Sequence, residues 1–267
     1  MIIELFSLKN KTVILTGSAG RLGNQFANVL SAAGANMVLV DKELAKNKKL
    51  QLELTKKYNT KSMVCQVDIS NKESLTCMTK DIIKKFGRID ILVNNAYFNP
   101  NQSNYSHISF EKFPIELWEQ MLSVNLTGVF LCSQVIGKVM VKQRGGVIIN
   151  ISSIYGLNGA DQRIYGNSKL NSSVSYAATK GAVVNMTRYL AAYWHRKNIR
   201  VNTLSLGGVL DKSYMKNEFI KKYSEKTILG RMANKEEYRG PLLFLASNSS
   251  SYMTGSNLIV DGGWTAW

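Results

Sequence analysis

The sequence has little cysteine and no pattern that would use it: Cys65, Cys77 and Cys132 are odd in number, widely spaced and form no C-x-x-C. Neither a disulfide framework nor a zinc or other metal site is indicated, and the three are expected as small buried apolar residues. Also lacking is an uninterrupted apolar run long enough to cross a bilayer, and the N-terminal MIIELFSLKNK has too short an apolar stretch before its lysines for a signal peptide. A cytoplasmic location with no membrane partner is therefore expected. Acidic residues are scarce, 18 against 34 basic, for a formal charge of +16. Such an excess suits an anionic partner, but the lysines are scattered over polar helix faces (KNKK at 46–49, KK at 56, 84 and 221). No zinc-finger spacing, aromatic nucleic-acid signature or basic heptad accompanies them, so a nucleic-acid partner is not expected and a small-molecule substrate is.

What is present is a regular alternation. Short apolar runs (VILT at 13, MVLV at 37, SMVCQVD at 62, DILVNN at 90, GVIINIS at 146, VNTLSL at 201, NLIVD at 257) are separated by segments of helical period at 22–33, 43–58, 71–86, 114–143, 176–198 and 234–247. Continuous Val/Ile/Leu strands imply burial on both faces, and connections of this length imply helices between them. The expectation is an α/β fold: one doubly wound parallel sheet (a Rossmann fold) of about seven strands with helices on both faces. It would occupy all 267 residues as a single dinucleotide-binding domain. Ligands of such sheets bind beyond the carboxyl ends of the strands, which makes the polar stretches 97–113 and 157–174, with 207–230 after the sixth strand, candidate substrate loops.

The first strand runs into Thr16-Gly-Ser-Ala-Gly-Arg-Leu-Gly23 and then a helix. Glycines at Gly17, Gly20 and Gly23 let the chain turn tightly and let backbone approach a pyrophosphate, while the helix N-terminus faces the anion. Asp41 closes the second strand 24 positions after Gly17. A carboxylate there accepts from a ribose 2′-hydroxyl and repels a 2′-phosphate, so NAD(H) is favoured over NADP(H); Lys42 beside it softens that repulsion and keeps NADP open. Asp41 can equally be read as a helix N-cap.

These motifs arrive in order: TGSAGRLG, Asp68-Ile69, Val93-Asn-Asn95-Ala96, Asn125, Asn150-Ile-Ser-Ser153-Ile-Tyr-Gly156, Tyr176-Ala-Ala-Thr-Lys180, Arg200-Val-Asn202 and Val260-Asp-Gly-Gly263. The set resembles the short single-domain branch of the short-chain dehydrogenase/reductase family from about Leu8 to Gly263. The resemblance implies an active tetrad of Asn125, Ser153, Tyr176 and Lys180, with Ser152 an alternative to Ser153. It implies cofactor contacts from Gly17, Ser18, Gly20, Arg21, Leu22, Gly23, Asp41, Asp68, Ile69, Asn95, Ala96, Tyr176, Lys180, Gly207 and Val209. In that family Tyr exchanges the hydroxyl proton, Ser polarises the reacting oxygen, and Lys bonds the nicotinamide ribose and lowers the phenol pKa. Asn holds a water linking Lys to solvent. The implied activity is NAD(P)(H)-dependent hydride transfer at a secondary alcohol or ketone, by a homodimer or homotetramer.

The pattern Tyr-x-x-x-Lys occurs three times, at Tyr165/Lys169, Tyr176/Lys180 and Tyr193/Lys197; about one coincidence is expected by chance. Family spacing from Ser153 favours Tyr165, at 12 residues, whereas spacing to Asn202 favours Tyr176, at 26. The second path is one helix and a short turn, with no room for added residues, while the first crosses a loop, where insertions cost little. Tyr176 also opens a good helical pattern behind Ser172, Ser173 and Ser175 as cap candidates, and shares a helix face with Lys180. Tyr165 precedes Gly-Asn-Ser and is left as a loop tyrosine without a role or a substrate contact.

Three departures accompany the resemblance. Arg21 stands where the short branch has Gly, giving T-G-x-x-G-x-x-G as in nucleotide-sugar epimerases and dehydratases; Leu206 replaces Pro; Tyr97 replaces Gly and narrows the pocket. They keep two rivals in view, an epimerase or dehydratase and a non-catalytic nucleotide-binding protein. Asp161, Gln162, Arg163, Asn167, Asn171, Asn101 and Gln102 offer donors and acceptors to several hydroxyls, so a sugar, sugar acid or polyol is the expected substrate. Serine-strand and YAA-K motifs separated by an insertion are similar to a subgroup associated with bacterial surface-sugar clusters.

Overall fold

The computed structural model describes residues 2–98, 108–168, 170–213 and 215–267. After a short helix α1 (Ile2–Leu5), strands and helices alternate. They run β1 (Thr12–Thr16), α2 (Arg21–Ala32), β2 (Asn36–Asp41), α3 (Leu44–Tyr58), β3 (Ser62–Gln66), α4 (Lys72–Phe86) and β4 (Ile91–Asn94). Then come α5 (Ile115–Leu122), α6 (Val129–Lys142), β5 (Gly146–Ser153), α7 (Val174–Tyr193), β6 (Ile199–Leu206), α8 (Asn217–Ser224), α9 (Arg239–Ala246) and β7 (Asn257–Val260). The seven strands form one sheet in the order β3-β2-β1-β4-β5-β6-β7, all parallel. Every apolar run read as a strand is one.

Alternate residues of a strand serve opposite faces, and β1 shows the result: Val13 and Leu15 enter one core and Ile14 the other. The first core packs Phe26, Ala27 and Leu30 of α2, Leu50 and Leu54 of α3, and Leu242 and Leu245 of α9 against the sheet. The second packs Leu75, Met78 and Ile82 of α4 and Cys132, Ile136 and Met140 of α6. Cys65 and Cys132 are buried as expected, but Cys77 lies exposed on α4.

Local chemistry sets the helix ends. The Asn71 side chain caps α4 by accepting from the Ser74 amide at 2.8 Å, and Gly87 ends it at φ 78°. By contrast α2 begins at Gly20 with no side-chain cap, which leaves its first-turn amides for a ligand. From Ile115 to Lys142 the chain is helical throughout, with a π turn at Ser123–Gly128 joining α5 and α6. By length and composition this stretch suffices to cross a bilayer, unlike the expectation from runs of residues. Its inner side carries Cys132, Ile136 and Met140 into the second core.

Three further differences concern the loops and caps. The stretch 207–230 is not only loop, because it contains α8. The predicted helix at 176–198 begins at Val174 and ends at Tyr193. Its N-cap, Ser173, makes no capping bond; its hydroxyl pairs with that of Ser175 at 2.6 Å instead.

Candidate active site

At the carboxyl ends of β1 and β4, where the chain direction across the sheet reverses, a cavity of about 1140 Å³ opens. That exceeds the ~300–1,000 Å³ of an ordinary small-molecule pocket. One end is the glycine turn. Gly17 has φ +65°, and a Cβ there would lie 2.7 Å from the Ala96 Cα; a Cβ on Gly23 would lie 2.8 Å from the Ser18 Cα. Asn95 braces the turn by donating from Nδ2 to the Thr16 and Gly17 carbonyls, both at 3.0 Å. The Thr16 hydroxyl accepts from the Asn95 and Ala96 amides at 3.0 and 3.1 Å. At the end of β2, Asp41 accepts from the Ala19 amide at 2.9 Å and from the Glu43 amide at 3.1 Å. Glu43, not Asp41, is the N-cap residue of α3.

Of the expected cofactor contacts, Gly17, Gly20, Arg21, Leu22, Gly23, Asp41, Ile69, Asn95, Ala96, Tyr176, Lys180, Gly207 and Val209 line the cavity. Two do not. Ser18 is fully buried, its hydroxyl donating to Asn47 Oδ1 at 2.8 Å and to the Val40 carbonyl at 3.2 Å, so it fastens the turn to α3. The Asp68 carboxylate is occupied by Lys42 at 2.8 Å and by the Ser70 hydroxyl at 2.7 Å. That pair also removes Lys42 as a free cation beside Asp41. Arg21 pairs with Asp211 at 2.9 Å and donates to the Leu210 carbonyl, bridging the glycine turn to the segment after β6.

The other end of the cavity holds three of the four residues expected to react, Ser153, Tyr176 and Lys180, while Asn125 is buried behind its wall. Ser153 ends β5, Tyr176 and Lys180 stand on the first turns of α7, and Asn125 lies in the π turn. A buried polar ladder sets α7 on the sheet: Asn94 Nδ2 donates to Asn150 Oδ1 at 2.8 Å, and Asn150 Nδ2 to the Thr187 hydroxyl at 2.9 Å. The hydroxyls of Thr203 and Thr187 meet at 2.8 Å. Residues 152 and 153 divide as strand neighbours must: Ser152 donates to the Lys180 carbonyl at 2.9 Å, while the Ser153 hydroxyl bonds the Tyr176 phenol.

Electrostatics here depart from expectation. Burial pushes the Tyr176 phenol up to about 12, against the opposing bond from Ser153, and burial pushes the Lys180 ammonium down to about 8. The Lys180 Nζ donates to the Ile151 carbonyl at 2.8 Å and sits 5.7 Å from the Tyr176 ring centroid, and the phenol stays well above neutrality. The Asn125 side chain has protein partners of its own: Oδ1 accepts from the Phe98 amide at 2.7 Å and Nδ2 donates to the Phe98 carbonyl at 3.0 Å. It pins the segment after β4, and with it Tyr97, whose ring meets that of Tyr176 edge-on at 6.4 Å.

Four of the polar residues expected to meet substrate are elsewhere. Asp161 binds Arg163 and Lys226 at 2.8 and 3.0 Å, Gln162 accepts from the Ser172 amide, and Asn171 donates to the Ile108 carbonyl. None of these four lines the cavity; Asn101, Gln102 and Lys169 lie outside the described residues, as does the Asn167 side chain. The wall beyond Tyr176 is instead aromatic: Tyr97, Tyr155, Tyr165, Phe219 and Tyr223. Sequence reading missed Tyr155, Phe219 and Tyr223. The last two stand on α8, which went unread because its eight residues are too few for a clear helical period.

The residues present fit a dinucleotide. An uncapped helix N-terminus, glycines whose side chains would collide with the turn, and a carboxylate at the second strand end stand along one cavity. A family model described as enoyl-(acyl carrier protein) reductase matches residues 17–265. The chain is similar to post-translational flagellin modification protein A of Campylobacter coli, 32% identical over 96% of this chain and 99% of that one. It is similar to NAD-dependent glycerol dehydrogenase of Listeria innocua, 33% identical over 97% and 96%. Among solved structures, a gluconate 5-dehydrogenase from Burkholderia cenocepacia in complex with NADP and tartrate superposes with a TM-score of 0.88, at 28% identity over the whole of both chains.

Proposed function

This chain belongs to the short-chain dehydrogenase/reductase family, and on that premise we propose that it interconverts a secondary alcohol and a ketone on a small polyhydroxylated molecule, with NAD(H) favoured. That it is an NAD(P)-dependent oxidoreductase of CH–OH groups follows from the family model and its relatives. The observation that carries the reading is the Ser153–Tyr176 hydroxyl pair over Lys180, at the far end of a cavity that begins at a phosphate-type turn.

When bound, the nicotinamide supplies or accepts the hydride. The chain's own residues handle the proton and the charge. Ser153 donates to the reacting oxygen and draws electron density from the carbonyl carbon. Tyr176, protonated at neutral pH because burial holds its phenol near 12, gives its proton to the nascent alkoxide. The Lys180 ammonium then steadies the phenolate left behind. Such a site favours reduction at neutral pH and gains in the oxidative direction as pH rises.

NAD(H) is favoured by Asp41, whose carboxylate two backbone amides hold at the cavity wall, and by the engagement of Lys42 with Asp68. The glycerol and gluconate relatives support a sugar, sugar acid or polyol substrate. So does the phenol-rich wall, apolar in its rings and hydrogen-bonding at its tips. We further place the protein in the cytoplasm as a dimer or tetramer joined across α6 and α7, where Phe130, Tyr189 and Tyr193 are exposed; a monomer in sedimentation removes the oligomer.

Fluorescence titration with NADH and NADPH, followed by a screen of polyols, sugar acids and their ketones, tests the whole. Tighter NADH binding is expected, with turnover that Tyr176→Phe lowers by about a hundredfold or more while cofactor affinity holds. Undiminished turnover in Tyr176→Phe refutes the mechanism.

A further inference from the structure

Tyr165, which the sequence leaves without a role, lies in the same cavity as Tyr176. It belongs to the stretch inserted between Ser153 and the catalytic tyrosine, and two sets of contacts hold that stretch in place. Its ring stacks on Phe219 of α8, centroids 5.4 Å apart and planes 26° from parallel. Asp161 ties the insertion to Lys226, just beyond α8, at 3.0 Å. An inserted loop that were merely wet would show neither. Its tyrosine would also stand in solvent, whereas Tyr165 is half-buried on the cavity wall.

The surroundings of its tip suit a ligand. The Tyr165 phenol has the hydroxyls of Tyr155 and Ser172 as neighbours, and a phenol both donates and accepts, so it can offer its proton to an oxygen bound in the cavity. The Tyr155 ring in turn meets that of Tyr176 edge-on, centroids 6.4 Å apart, and Tyr165 lines the same cavity. One donor is thus set at the reacting oxygen and a second a short way along the same wall.

We propose that Tyr165 is a specificity-determining residue, donating its phenol proton to an oxygen on the carbon next to the reacting one, so that vicinal diols and hydroxyketones are preferred to simple secondary alcohols. The inference rests on the reading of Ser153 and Tyr176 as the reacting pair. It assigns to the insertion a recognition role that its outward-facing Asp161 and Arg163 do not perform.

The test compares wild type, Tyr165→Phe and Tyr176→Phe on two matched pairs, 2,3-butanediol against 2-butanol and glycerol against 2-propanol, with NADH affinity and thermal midpoint measured alongside. Wild type is expected to favour the member with the neighbouring hydroxyl. Loss of one hydrogen bond in Tyr165→Phe lowers kcat/KM for that member by about fivefold to tenfold, chiefly through KM. The simple alcohol and NADH affinity should stay within about twofold, since the stacked ring is kept, while the midpoint falls by a few degrees as the Tyr155 and Ser172 hydroxyls lose a partner. Equal losses on both members of a pair, or no loss on either, overturn the proposal. If wild type oxidises none of the four and Tyr176→Phe is indistinguishable from it, the functional reading falls, and this inference with it, whatever Tyr165→Phe does.

Discussion

Replacing Lys180 by Met should make the protein more stable while disabling it. Lys180 is 5% exposed, and burial lowers its ammonium from the ordinary lysine value to about 8. Holding the charge inside therefore costs about 3 kcal/mol at pH 7. Methionine removes that cost but also the 2.8 Å bond to the Ile151 carbonyl, whose loss costs about 1 kcal/mol. The net gain is about 2 kcal/mol, or about 4 °C in Tm for a chain of this length. The pH dependence gives the sharper signature. Folding lowers the lysine's proton affinity, so below pH about 8 both folded and unfolded states carry the charge and the penalty is complete. Between there and about 10.4 only the unfolded chain keeps the proton, and wild-type stability rises with pH; above that the penalty is gone. Urea denaturation followed by circular dichroism at pH 7 and pH 10.5 reads both limits. The variant should be the more stable at the first and slightly the less stable at the second, and ketone reduction by wild type should fall as pH rises through about 8. A variant less stable than wild type at pH 7 by the same margin as at pH 10.5 would show that Lys180 is held by its bonds and not strained by its charge.

Asp41→Ala should shift the ratio of NADPH to NADH affinity upward by at least about tenfold, because a carboxylate no longer faces a 2′-phosphate; an unchanged ratio in fluorescence titration places that ribose elsewhere. Asn125→Ala removes both bonds to Phe98 and should lower urea stability by about 2 kcal/mol and raise substrate KM, with NADH affinity kept. An unchanged KM would mean that the segment after β4 needs no pin. Gly17→Ala places a Cβ 2.7 Å from the Ala96 Cα at a φ of +65°. It should weaken NADH binding by more than about tenfold with the circular dichroism spectrum retained; normal binding would exclude the turn as the phosphate site.

Much of this protein could be read from its residues in order. The strands are legible because a sheet buried on both faces needs unbroken Val/Ile/Leu runs, and seven such runs stand at helical separations. The glycine turn, Asp41, Ser153, Tyr176 and Lys180 are legible because strand ends and i, i+4 helix spacing are local properties, and the cavity lines up all of them. Tyr176 was separable from Tyr165 for the same reason: one helix and one turn fix its distance to Asn202. What needed the tertiary structure is whatever depends on residues far apart in sequence. The direction of each polar side chain is one case, since Ser18, Asp68 and Asn125 are each claimed by distant partners. The proton affinities of Tyr176 and Lys180 are another, because burial decides them and burial is a property of the packed whole. The last is the character of the substrate wall. A polar loop sequence turns its charges outward to Lys226, and its one tyrosine inward to a helix fifty residues away.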